Sequence, residues 1–192
     1  MTLRIGISGA QGSFSEEAAQ RYVDVTHRGQ YTPVYLISVA NVLEALKNGS
    51  IELGIFPIEN SNGGIVVEAV HAMARYTFTI DRLFEIDVHH CLLVRNGMHP
   101  GDITVITSHD QALKQCRMYL KRRWPGVEIQ EYKDTAQSAC DLGKGILPQT
   151  TAVIAPRRCA DLYDLDVLEE SIQDLKFNFT TFIAARPVPA TT

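Results

Sequence analysis

Ile51-Glu52-Leu53-Gly54-Ile55-Phe56-Pro57-Ile58-Glu59-Asn60-Ser61-Asn62-Gly63-Gly64 sets a short apolar run directly before a cluster of polar side chains and glycines. The run from Ile51 to Phe56 predicts a buried strand, and Pro57, with no N–H to donate, is expected to end its ladder. Beyond it Val66, Val67, Ala69, Val70 and Met73 recur at helical spacing, so a helix is expected from Gly63 or Gly64. Asn60 and Ser61 then stand in a strand-to-helix turn. Open α/β sheets bind ligands at the carboxyl ends of their strands, where helix N-termini offer N–H groups to anions. A capped helix with polar turn residues also explains a single turn of this kind. Two further turns of the same type give the pattern its weight.

The first of these follows the β-rich run Leu3 to Ser8, in Gly9-Ala10-Gln11-Gly12-Ser13-Phe14-Ser15-Glu16. Ser13 and Glu16 have capping-box spacing, and the helix is expected to reach Tyr22. Neither a dinucleotide fingerprint nor a GK[ST] ending is present, which excludes a P-loop. Val34 to Ile37 gives another strand, and Ser38 caps a helix carrying Val39, Val42, Leu43 and Leu46 that stops at Asn48-Gly49. Alternation of strand and helix over the first 75 residues or so predicts an α/β fold with a parallel sheet and right-handed crossovers. Phe78 to Ile80 and then Leu83 to Val94 read as a crossing between lobes. Within it His89 and His90 point to opposite faces, so they do not share a metal, and one of them can face a cleft.

The other polar turn is Ser108-His109-Asp110-Gln111, after a strand from Ile103 to Thr107, and Ser108 with Gln111 again has capping-box spacing. In one continuous helix Ala112, Leu113, Cys116 and Leu120 make the apolar face, and Ser108, Gln111 and Gln115 share an uncharged stripe. Lys121-Arg122-Arg123 fall at its end, where the dipole favours cations. After Pro125-Gly126 come a strand over Val127 to Glu131, a helix from Thr135 to Leu142 and a strand over Ala152 to Ala155. Pro156 is placed at N1 of a helix ending at Tyr163. In the last β-rich run, Asn178 to Ala185, alternation puts Asn178, Thr180 and Phe182 on one face and Thr181 on the other.

With 192 residues, 45% hydrophobic and 21% charged, the chain can bury a core of one domain or two small lobes. A formal net charge of −4 and a pI near 5.8 supply no cationic field for nucleic acid. Cys91, Cys116, Cys140 and Cys159 form no CxxC pair and read as reduced core thiols of a cytoplasmic protein. No apolar segment has signal-peptide or membrane length, so no membrane association is expected.

Taken together, these turns and the last strand resemble the prephenate dehydratase family. Gly9-Ala10-Gln11-Gly12-Ser13-Phe14-Ser15 with Ala18-Ala19 is similar to its GPxGTFS…AA motif, and Pro57-Ile58-Glu59-Asn60-Ser61 with Gly64 and Val66 to PIENSxxGxV. His89-His90-Cys91-Leu92-Leu93 resembles its crossing strand. Ser108 to Cys116 matches SHPQALxQC with Asp110 for Pro, and Ile172-Gln173-Asp174…Asn178-Phe179-Thr180-Thr181-Phe182 matches IxDxxxNxTRF with Thr181 where the family has Arg. The resemblance implies a two-lobed fold of the type II periplasmic-binding-protein kind, with residues 1–84 plus 168–192 as lobe one, 85–167 as lobe two, and the active site in the interlobe cleft. It implies decarboxylating dehydration of prephenate to phenylpyruvate, a reaction driven by aromatisation that needs neither cofactor nor metal. Thr180 becomes the catalytic residue assisting departure of the hydroxyl. Asn60, Ser61, Ser108, Gln115, Ser13, Gly64, His89 and Asn178 become substrate-binding positions.

A homo-oligomer, a dimer, is expected. Regulation by L-phenylalanine through a C-terminal ACT domain is not, because only Pro187 to Thr192 follow the last strand. The absent Arg at 181 is expected to be a brace rather than a carboxylate clamp; for a clamp, Arg186 and Arg95 are the candidate substitutes. Arogenate dehydration, non-aromatising decarboxylation of prephenate and an inactive module that binds an aromatic metabolite are the alternatives. Retention of Thr180 speaks against the second.

Overall fold

The computed structural model describes residues 2–26 and 29–189. In chain order the elements are β1 (Leu3–Ile7), α1 (Phe14–Thr26), β2 (Tyr31–Tyr35), α2 (Val39–Lys47), β3 (Leu53–Asn60), β4 (Gly64–Ile65), α3 (Val67–Met73), β5 (Thr79–Asp87) and β6 (His90–Arg95). There follow β7 (Val105–Ser108), α4 (Asp110–Gln115), α5 (Arg117–Arg123), β8 (Glu128–Glu131), α6 (Thr135–Gly143), β9 (Thr151–Pro156), α7 (Arg158–Tyr163), β10 (Leu165–Glu169) and β11 (Phe179–Arg186). They form two compact units, each with its own sheet. One comprises the described residues of Met1–Ala10, Phe14–Asp87 and Phe179–Thr192; the other comprises Gln11–Ser13 and Val88–Asn178. Residues 168–178, given to lobe one on the sequence, therefore lie in the second unit, because β10 pairs antiparallel with β6.

The first unit's sheet runs β2-β1-β3-β11-β5, with β1 parallel to β2 and β3 as the βα alternation predicts. Its core forms because α2 buries Val42, Leu43 and Leu46, spaced three and four apart, against Phe56, Ala69 and Ile183. Ser38 caps α2 as expected, accepting from the Asn41 amide at 3.2 Å. A Cβ on Gly54 would lie 2.6 Å from Val42 Cγ1, so the glycine is what admits α2 so close to β3.

Two expectations fail in this unit, for local reasons. Pro57 does not end β3. The strand runs on to Asn60, and the register against β11 slips there, with Thr181 opposite Glu59 and Phe182 opposite Pro57, so that Ile58 is the extra residue of a bulge. A bulge is a place where a strand tolerates proline. Nor does a helix start at Gly63 or Gly64. Asn60 Oδ1 accepts from the amides of Asn62 and Gly63, at 2.9 and 2.7 Å, and Gly64 at φ 75° turns the chain back so that β4 pairs with β3. Asn60 and Ser61 thus sit at a hairpin, and the helix waits until Val67.

The second unit's sheet runs β10-β6-β9-β7-β8, with β7 parallel to β8 and β9. Its core gathers Leu92, Ile106, Leu113, Cys116, Leu120, Ile154 and Ile172. Gly12 belongs here. At φ 90°, with a hypothetical Cβ only 2.8 Å from Cys159 Sγ, it lets the Gln11–Ser13 loop lie on α7, where Tyr163 Oη donates to Gln11 O at 2.7 Å.

The Leu83 to Val94 run crosses from one unit to the other, as expected, and does so as two strands. β5 ends at Asp87 in the first unit's sheet and β6 begins at His90 in the second's. The single helix expected after Ser108 breaks at Cys116 (φ −111°, ψ 14°), because the Asp174 carboxylate takes the amides of Met118 and Tyr119, each at 2.8 Å, and so caps α5 as a helix of its own. Ser108 does not cap α4 either. It is the last residue of β7, and His109 is the N-cap, its Nδ1 accepting from the Gln111 amide at 3.3 Å. The uncharged Ser108–Gln111–Gln115 stripe therefore does not form. Pro156 closes β9 opposite His90 instead of opening α7.

Candidate active site

In the first unit, the end of β3 and the start of β11 place Asn60 directly opposite Thr180. Asn60 Nδ2 donates to Thr180 Oγ1 at 2.9 Å and to the Phe179 carbonyl at 3.2 Å. The orientation of that amide is not free to invert, since Oδ1 already faces two backbone N–H groups of the turn. Ser61 grips the same strand from both sides. Its amide donates to Phe179 O at 2.8 Å, and its hydroxyl accepts from Phe179 N at 3.0 Å. Gly64, opposite Asn60 in β4, makes the turn that holds the pair. Thr180 is only 9% exposed and shares the inward face of β11 with Phe182, as alternation predicts.

Thr181 faces the other way. Its strand neighbours are Glu59 on β3 and Glu85 on β5, and its hydroxyl lies 3.5 Å from Glu85 Oε1. Neither candidate cation is idle. Arg186 Nε pairs with Asp81 at 2.6 Å and its Nη2 donates to Tyr22 Oη at 3.3 Å, tying the end of β11 to α1 and β5. Arg95 Nε donates to Leu142 O at 3.0 Å.

In the second unit the polar residues meet beside the start of β6. Asn178, fully buried, donates through Nδ2 to Val88 O at 3.2 Å and to Gln115 Oε1 at 2.9 Å. His90 Nε2 lies 2.8 Å from the same Gln115 oxygen. The backbone amide of His90 donates to Gln173 Oε1 at 3.1 Å, and Gln173 Nε2 lies 3.1 Å from His89 Nδ1. Burial lowers the His90 pKa to about 4, with the Gln115 contact acting in the opposite sense. The ring is therefore neutral at ordinary pH.

Gln115 and Asn178 are brought together, and His89 is joined to them through Gln173 and His90. The Ser108 hydroxyl, fully buried, donates to Ile154 O at 2.6 Å, and Ser13 is buried in the loop on α7. His90 and Gln173 are the residues that the sequence did not mark for a role. Strand alternation separates the two histidines, but every residue of β6 from His90 to Val94 is buried, so periodicity could not say which one mattered.

The four cysteines are buried and unbridged, and burial pushes the Cys91 and Cys116 thiols up, which keeps them protonated. Among the described residues no cluster of three or more His, Cys, Asp or Glu is placed to hold a metal ion, and no helix is long and apolar enough to cross a membrane.

Known proteins share this framework. A family model described as prephenate dehydratase matches residues 5–187. Arogenate dehydratase 5, chloroplastic, of Arabidopsis thaliana is 34% identical over 182 residues, 95% of this chain and 41% of its own length. The prephenate dehydratase of Methanocaldococcus jannaschii is 32% identical over 174 residues, 90% of this chain and 61% of its own. The crystal structure of the Arthrobacter aurescens prephenate dehydratase in complex with L-Phe superimposes with a TM-score of 0.86 at 27% identity, covering 99% of this chain and 61% of that one. The chain thus spans about half the length of most of the curated relatives it matches. Matched over nearly all its residues, it belongs to the prephenate dehydratase family.

Proposed function

We propose that this chain converts prephenate to phenylpyruvate, carbon dioxide and hydroxide, within aromatic amino acid biosynthesis. The observation that carries the reading is the 2.9 Å bond from Asn60 Nδ2 to Thr180 Oγ1. Because the threonine oxygen accepts from an amide whose own orientation is locked by the turn, its proton must be given to another acceptor. The ring hydroxyl of prephenate is that acceptor. As the bond to the carboxylate carbon breaks, its electron pair enters the ring and expels the hydroxyl, which departs hydrogen-bonded to Thr180. A threonine is a weak acid, and the donated bond from Asn60 makes it a better donor just where negative charge develops. Aromatisation supplies the driving force, so little more than this contact and the placement of two carboxylates is required.

Ser61 and Gly64 hold the Asn60–Thr180 pair. Gln115 and His89 contact the substrate's anionic groups, and Asn178, whose two amide hydrogens go to Val88 O and Gln115, acts by holding Gln115 in place. Ser108, closed off from solvent, acts indirectly by fastening the end of β7 to β9, and Ser13 shapes the loop that carries it. We further propose that the protein is cytoplasmic and works as a homodimer. Four reduced, buried thiols support the first. For the second, the support is the nine-residue edge strand β5 with Ile80 and Leu83 exposed.

Incubation with prephenate, following phenylpyruvate absorbance and residual substrate, tests the activity; unchanged prephenate would refute it. The same assay with arogenate weighs the second reading, which the 34% identity to an arogenate dehydratase favours. Light scattering that finds a monomer at working concentration would remove the dimer.

A further inference from the structure

We propose that His90 is a positioning residue that turns the amide nitrogen of Gln115, rather than its oxygen, towards the substrate. The proposal rests on the reading above only in taking Gln115 as a substrate contact. The orientation itself follows from a backbone anchor. Val88 O can only accept, so the Asn178 atom facing it must be the amide nitrogen. That nitrogen's second contact, at 2.9 Å, must then be to an acceptor, which makes the facing atom of Gln115 its oxygen. His90 Nε2, 2.8 Å from that oxygen, must in turn carry a proton.

Two donors on Oε1 fill both of its lone pairs. Any ligand that Gln115 meets therefore meets Nε2, a donor that suits a carboxylate or keto oxygen and not an ammonium group. The neighbouring anchor agrees. The His90 backbone amide can only donate, so Gln173 faces it with oxygen and presents its nitrogen to His89 Nδ1. Burial keeps the His90 ring neutral, so it has one proton to place, and Gln115 decides where.

The test combines a spectrum with a mutant cycle on the full chain. Two-bond proton–nitrogen NMR at pH 7 should find His90 as the Nε2–H tautomer. His90→Leu should raise KM for prephenate about tenfold with kcat within about threefold. His90→Gln, which offers an N–H at similar reach, should restore KM to within about threefold of the wild type. In a Gln115→Leu background, His90→Leu should add nothing, since its effect runs through the missing amide. An Nδ1–H tautomer, a His90→Leu penalty that persists without Gln115, or a His90→Gln variant as impaired as His90→Leu would each overturn the proposal. Should His90→Leu fail to fold, the wild-type tautomer and the KM of His90→Gln decide between the two outcomes. A wild type that leaves prephenate unchanged would sink the proposed activity alone, and the tautomer would still decide this inference.

Discussion

Replacing Thr181 with Arg should stabilise the protein without transforming its catalysis. Thr181 stands on β11 between Glu59 and Glu85, each directly across a strand, and all three side chains lie on the face away from Thr180. A guanidinium there reaches two carboxylates that now have only a hydroxyl between them. Cross-strand pairs of opposite charge contribute about 0.2–1 kcal/mol each, and both glutamates are exposed, so roughly 1 kcal/mol in total is the reasonable sum. For a chain of this size that corresponds to a midpoint increase of roughly 2–4 °C. Scanning calorimetry of wild type and Thr181→Arg at low salt and near 1 M salt would read both the gain and its screening, since the Debye length falls to about 3 Å at the higher salt. The change in kcat/KM for prephenate should stay below about tenfold, or about 1.4 kcal/mol. A hundredfold gain in kcat/KM would refute the reasoning, because it would mean the arginine clamps a substrate carboxylate. A stability change that salt does not touch would refute the placement between the two glutamates.

Thr180→Ala should lower kcat by about two orders of magnitude or more with KM little changed, in steady-state assays with prephenate, because the contact matters as charge leaves the ring. Ser38→Ala removes the hydroxyl that caps α2 and should cost about 1 kcal/mol in urea unfolding, with the slope unchanged. Acid should destabilise the protein through His90. Its folded pKa, about 4, lies below the ordinary 6.5, so the unfolded chain takes up a proton first and stability is lost as pH falls through that window. Unfolding free energies at pH 7 and pH 5 should differ by about 2 kcal/mol from this group, and His90→Leu should remove that part of the difference.

Much of this protein was legible in one dimension. The alternation of Leu3–Ser8, Ser13–Tyr22, Val34–Ile37 and Ser38–Leu46 is local chemistry, set by side-chain period and caps, and it yields a parallel βα arrangement wherever such a chain folds. Asn60 and Thr180 were also visible, as polar side chains in motifs 120 residues apart. What the sequence could not say is which neighbours would compete for a backbone group. Pro57 stays inside its strand because β11 slips by one residue beside it, and the α4–α5 break exists because Asp174, far along the chain, takes two amides that a continuous helix would have used. Ser108 has a cap's spacing to Gln111, yet the carbonyl of Ile154 claims its hydroxyl first. The choice between His89 and His90 was of the same kind. Period two places them on opposite faces, but only the packed structure brings Asn178 and Gln115 to one of them, and contacts of that range are decided by tertiary packing rather than by local preference.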